Sequence, residues 1–70
     1  MNQKEIVLTI EGMHCSSCAM NIDFALEDIE GVHEVTTNYV KQISTVIFDT
    51  TKTNQKKITT VISELGYKVK

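Results

Sequence analysis

The feature that most constrains the fold is a hydrophobic period that switches along the chain between two residues and about 3.6. In "KEIVLTIEG", Ile6, Leu8 and Ile10 alternate with Glu5, Val7, Thr9 and Glu11, the pattern of a strand with one buried face. Gly12 breaks that strand with a residue suited to a turn. Over residues 16–29 the period becomes helical, and Cys18, Ala19, Ile22, Ala25, Leu26 and Ile29 share one face. Ser16 or Ser17 is placed to cap its start, and Gly31 stands just beyond its end. "VHEVTTNYV" and "QISTVIFD" are rich in β-branched and aromatic residues, with Lys41 and Gln42 at their junction, and read as a hairpin. In the polar loop "TTKTN", Thr53 or Asn54 can cap a second helix, where Ile58, Val61, Ile62 and Leu65 recur at helical spacing. Gly66 ends this helix, and "YKVK" makes a short last strand.

The order β-α-β-β-α-β predicts an α+β domain. Two helices on one face of a four-stranded antiparallel sheet bury both apolar stripes in the simplest way. With 70 residues the chain is a single domain, 1–70, without repeats, low-complexity tracts or linkers. Its apolar fraction of 41% is too high for a disordered chain.

Several functions are disfavoured at once. The net charge of −2 and the absence of arginine argue against a nucleic-acid partner. No run approaches the ~20 apolar residues that direct membrane insertion requires. "MNQKEIVLTI" lacks the apolar core and cleavage site of a signal peptide, so a cytoplasmic setting is expected. There a permanent disulfide is disfavoured, which leaves metal binding or redox chemistry for the two cysteines, Cys15 and Cys18.

Both cysteines fall in "GMHCSSC", at the expected handover from first strand to first helix, Cys15 in the loop and Cys18 in the first helical turn. A helix N-terminus carries partial positive charge and open N–H groups, which favour thiolate over thiol. Two neighbouring thiolates suit a soft ion, above all Cu(I), which accepts two in a near-linear arrangement. Zn(II) normally takes four ligands, or three plus water. The competing readings are a pair of small buried apolar residues and a thioredoxin-like dithiol. His14 is either a third ligand or an exposed loop residue; the latter is favoured.

The wider pattern resembles the heavy-metal-associated (HMA) domain family, which includes cytosolic copper chaperones and the N-terminal domains of copper-transporting P-type ATPases. The family motif GMxCxxC is present as Gly12-Met13-His14-Cys15-Ser16-Ser17-Cys18. "IDFALEDIEGV", "VIFD" and "ELGYKV" extend the resemblance over nearly the whole chain. It implies a ferredoxin-like βαββαβ sandwich, with Cys15 and Cys18 as metal ligands. Gly12, Met13, His14 and Tyr67 would support the site. Met13 would be buried beneath the loop and brace it without binding metal. Tyr67 would lie close by, because the loop after the second helix ends on the same side. The thioredoxin-like alternative is weakened by resemblance too: that fold sets a cis-proline beside its dithiol, and this chain has no proline.

The function implied is that of a Cu(I)-binding metallochaperone in copper homeostasis. It would carry the ion and transfer it by thiolate exchange to a copper-transporting P-type ATPase or another copper acceptor or donor. It would not be an enzyme. It is expected to be a monomer, able to form metal-bridged dimers through exposed cysteines. The alternatives are an N-terminal domain of a P-type metal ATPase or mercuric reductase, since Hg(II) also accepts two thiolates, and a dithiol redox protein. Met20 and Phe24 fall opposite the core stripe and are candidates for a docking patch, weighed against ordinary scattered surface apolars. Asp23 and Glu27, with Asp28, Glu30 and Glu34, form an acidic cluster, and Lys52, Lys56 and Lys57 a basic one. Such clusters mark either solvated faces or partner steering. His33 is expected on the surface at the end of the sheet away from the metal. Val40, Ile43 and Ile47 are expected on the open sheet face.

Overall fold

The computed structural model describes residues 2–13 and 16–70. The element order is β1 (Gln3–Glu11), α1 (Ser16–Glu27), β2 (Val32–Asn38), β3 (Ile43–Asp49), α2 (Gln55–Glu64) and β4 (Lys68–Val69). All strand pairs are antiparallel, in the order β2-β3-β1-β4. Both helices bury residues in the core that one face of this sheet supplies, giving the ferredoxin-like architecture expected from the sequence.

Alternation along the strands decides which side chains face that core. Ile6, Leu8 and Ile10 of β1, Val35 of β2, and Val46 and Phe48 of β3 are buried. They meet Ala19, Ile22 and Leu26 of α1, Ile58 and Ile62 of α2, and Met13 from the loop after β1. The opposite face carries Val7, Thr45, Ile43 and Ile47, with Glu5 and Glu34 flanking Ile47 in register. Ile43 and Ile47 are half-buried there, as the period-2 pattern requires. Val40 is not on that face. It sits in the loop 39–42 and is 74% exposed, because β2 ends at Asn38. The Asn38 side chain accepts hydrogen bonds from the Val40 and Lys41 N–H groups at 3.0 and 3.1 Å, so the backbone turns there instead of continuing the ladder.

Regular α1 ends at Glu27, two residues earlier than the periodicity predicts. The chain then tightens, with Ile29 N–H donating to the Leu26 carbonyl at 3.1 Å. The tighter turn still lets Ile29 pack on the core, which explains why the apolar stripe outlasts the helix. Gly31 follows at φ +97°. At α2 the cap is Asn54, whose side chain accepts from Lys57 N–H at 2.8 Å. The helix closes with Gly66 N–H on the Ser63 carbonyl (3.0 Å) and Tyr67 N–H on the Ile62 carbonyl (3.4 Å), a Schellman motif around Gly66 at φ +98°. His33, at the irregularity in the β2–β3 ladder, is exposed, in agreement with expectation.

Candidate metal centre

Three connections meet at one end of the sheet. The pairing of Thr9 with Ile43 places the loop 39–42 beside the exit of β1. The pairing of Ile10 with Val69 and Glu11 with Lys68 brings the α2–β4 connection to the same exit. The "GMHCSSC" segment begins there.

Three described residues of that segment, Gly12, Met13 and Cys18, have defined structural positions. Gly12 turns the chain at φ +101°, a region that L side chains rarely adopt. A Cβ on Gly12 would stand 3.5 Å from Cδ1 of Tyr67, so the tyrosine ring lies against the glycine. Met13 is 2% exposed and belongs to the hydrophobic core. Its side chain anchors the start of the loop in that core. His14 and Cys15 lie outside the described residues. Cys18 is in the first turn of α1, half-buried and packed against the core. No acidic residue occupies that first turn, so no carboxylate there offsets the positive pole of the helix.

One residue near this site is marked in the sequence only as part of the hairpin junction. Gln42 adopts φ +59°, unusual for a non-glycine residue. Its Nε2 donates to the Met13 carbonyl and, at 2.9 Å, to the Tyr39 carbonyl. Its own carbonyl accepts the Ile10 N–H at 2.8 Å. The hairpin turn is thus bonded to both the end of β1 and the entry to the cysteine loop.

The candidate docking residues separate. Met20 and Phe24 are 53% and 64% exposed. Phe24, with Asn21, Ala25, Asp28, Leu65 and Tyr67, lines a groove of about 410 Å³. Asp23 is half-buried and accepts a hydrogen bond from the Thr37 hydroxyl, which in turn contacts the Ser44 hydroxyl at 3.0 Å. This polar chain fastens α1 to β2 and β3. Glu27 is exposed, but it ends α1, about 16 Å of helix from Ser16. Lys52 lies beside Gly31, so the basic cluster before and in the first turn of α2 is also at the end remote from the cysteine loop. Glu27 and the basic cluster therefore lie at the far end of the domain, whereas exposed Met20, Tyr39 and Val40 lie nearer the cysteine loop.

A model of the heavy-metal-associated domain matches residues 7–68. The chain belongs to the heavy-metal-associated domain family. It is 36% identical over 62 residues to the mercuric transport protein periplasmic component of Salmonella typhi, covering 89% of this chain and 68% of that protein. It is 37% identical over 67 residues to the copper-exporting P-type ATPase of Bacillus subtilis (strain 168), covering 96% of this chain and 8% of the ATPase. The solved structure of a CopZ metallochaperone matches with a TM-score of 0.93 at 28% identity, covering 96% of this chain and 100% of that one. This HMA domain thus resembles both free metal carriers and a domain of a larger transporter. Among its described residues no helix is long and apolar enough to cross a membrane.

Proposed function

We propose that this HMA domain binds Cu(I) through Cys15 and Cys18 and passes it to a partner by thiolate exchange. The observation that carries the reading is the placement of Cys18 in the first turn of α1, within a motif whose Met13 is anchored in the core. That placement supports a thiolate at a helix N-terminus, held by a firm base and next to a second cysteine in sequence. Two soft donors match the low coordination number that Cu(I) accepts.

Transfer proceeds by associative exchange. A partner thiol first loses its proton to solvent. Its thiolate then forms a new Cu–S bond, giving a three-coordinate ion bridged between the proteins. One Cu–S bond to this chain breaks, the partner's second thiolate, likewise deprotonated, bonds the ion in its place, and the remaining Cu–S bond to this chain then breaks. Copper remains Cu(I) throughout, and no bond within an organic substrate is made or broken, so the activity is carriage and not catalysis. Acid opposes binding, because the donors must be deprotonated. The partner fitting this chemistry is a domain with its own thiolate pair, such as that of a copper-transporting P-type ATPase, meeting this chain in the cytoplasm. Tyr67 lies against Gly12, at the start of the motif.

A second reading is Hg(II) carriage, favoured by the similarity to the periplasmic mercuric transport proteins. Competitive titration of the reduced protein with Cu(I), Hg(II) and Zn(II), with stoichiometry by mass spectrometry, separates the two. One Cu(I) retained against a strong chelator, and lost in both Cys15→Ser and Cys18→Ser, is the expected result. His14→Ala should retain it. Retention in either serine variant would remove the site assignment, and a large loss in His14→Ala would make that histidine a ligand.

A further inference from the structure

We infer that Gln42 is a positioning residue for the metal loop, holding its entry through the Met13 carbonyl. The inference rests on the cysteine pair as the metal site and goes beyond it to a residue 29 positions from Met13 in the chain.

Three observations combine. First, Gln42 occupies the left-handed region at φ +59°, where glycine or asparagine is the easier choice. The backbone of the turn alone would therefore favour a residue other than glutamine. Second, its side-chain amide is used twice, on the Met13 and Tyr39 carbonyls. The second bond fixes the amide so that the first has a defined direction. Third, its backbone carbonyl holds Ile10 N–H at 2.8 Å, so the turn and the end of β1 move as one. Between Ile10 and Met13 stands Gly12, the most conformationally permissive residue available. Without a clamp on Met13 O, the peptide unit that begins at that carbonyl has freedom to rotate, and the Met13 side chain alone fixes the loop entry. The Met13 carbonyl belongs to the peptide unit leading into His14 and Cys15. Holding it limits the directions in which the first thiolate is presented. Outer contacts of this kind are ordered before the metal arrives, so they favour the bound geometry without being ligands.

The role separates from simple turn stability by the choice of variant. Gln42→Gly relieves the left-handed backbone but deletes the amide. Gln42→Glu preserves shape and reach but replaces the donor with an acceptor facing a carbonyl. The measurements are thermal unfolding of the apo protein and Cu(I) competition against a chromophoric chelator on the same samples. Gln42→Gly should unfold at the same or a higher temperature than the parent. Both variants should lose Cu(I) affinity by about 3- to 10-fold, the worth of one hydrogen bond acting on the site. Amide hydrogen exchange at residue 14, whose N–H shares the peptide unit of the Met13 carbonyl, should accelerate in both. Unchanged Cu(I) affinity in both variants, with the parent binding through its thiols, overturns this role and leaves the metal site intact. Loss of affinity only in step with loss of folding also overturns it. A parent that does not hold Cu(I) through Cys15 and Cys18 overturns the proposed function and this role together.

Discussion

Replacing Met13 with alanine and with leucine distinguishes a brace from a ligand. A thioether two residues before a cysteine is a reasonable soft donor on chemical grounds. The structure instead places the side chain 2% exposed within the core. Met13→Ala removes about three methylene-sized groups, worth ~0.8 kcal/mol each on transfer alone, or ~2.4 kcal/mol. Incomplete collapse of the resulting cavity raises the loss to ~3–4 kcal/mol. A chain of this length has ~4–10 kcal/mol in total. The alanine variant should therefore lose a third or more of its stability, with a melting temperature lower by on the order of 15 °C. Met13→Leu nearly conserves volume and should cost less than ~1.5 kcal/mol. Urea titration followed by far-UV circular dichroism gives the stabilities, and chelator competition gives Cu(I) affinity. The leucine variant should bind Cu(I) as the parent does. If it folds normally but loses Cu(I), the sulfur is a ligand and the brace argument fails. If the alanine variant is as stable as the parent, Met13 does not anchor the loop.

Two further outcomes follow from the fold. Gly31→Ala should lower the urea midpoint more than Gly66→Ala. Both positions have φ near +98°, at +97° and +98°, but a Cβ on Gly31 would lie 2.6 Å from Lys52 Cβ, whereas one on Gly66 meets nothing within 4 Å. Each shares a backbone penalty of ~1–2 kcal/mol, so equal midpoints would refute the clash with Lys52. Asp49 should titrate below the ordinary aspartate value. The Thr51 hydroxyl (2.6 Å) and then the Thr51 N–H (2.9 Å) bond to its carboxylate and favour the charged form. Since the folded value is depressed, the contribution to stability is present above the unfolded value and is lost as pH falls through the folded one. Carboxyl NMR titration should show the midpoint rising in Thr51→Val; an unmoved midpoint would remove the hydroxyl as the main cause.

The placement of Cys18 was readable because its signals are local. Cys15 and Cys18 are separated by only two residues, and the shift from period two to helical period at Ser16 places the second in a first turn without reference to the rest of the chain. Met13 and Tyr67 entered through family resemblance, and the core burial of one and the contact of the other with Gly12 now have a geometric basis. The charge clusters show the limit. Glu27 and Lys52 look like steering groups in a linear reading, yet both lie at the end of the domain remote from the loop, because α1 runs away from it and α2 returns toward it. Asp23 looked like one more solvated acid, but its carboxylate is bonded to Thr37 on the sheet.

Periodicity, the cap of α2 and the glycines, read along the chain, determined the six elements and the buried face of each, because each depends on interactions within a few positions. Only the folded sheet decided that Gln42 clamps Met13, that Tyr67 lies on Gly12 and that Val40 leaves the sheet for an exposed loop. Those outcomes depend on strand register and on which loops share an end of the sheet. These are set by non-local pairings such as Thr9 with Ile43 and Ile10 with Val69, which no local pattern encodes.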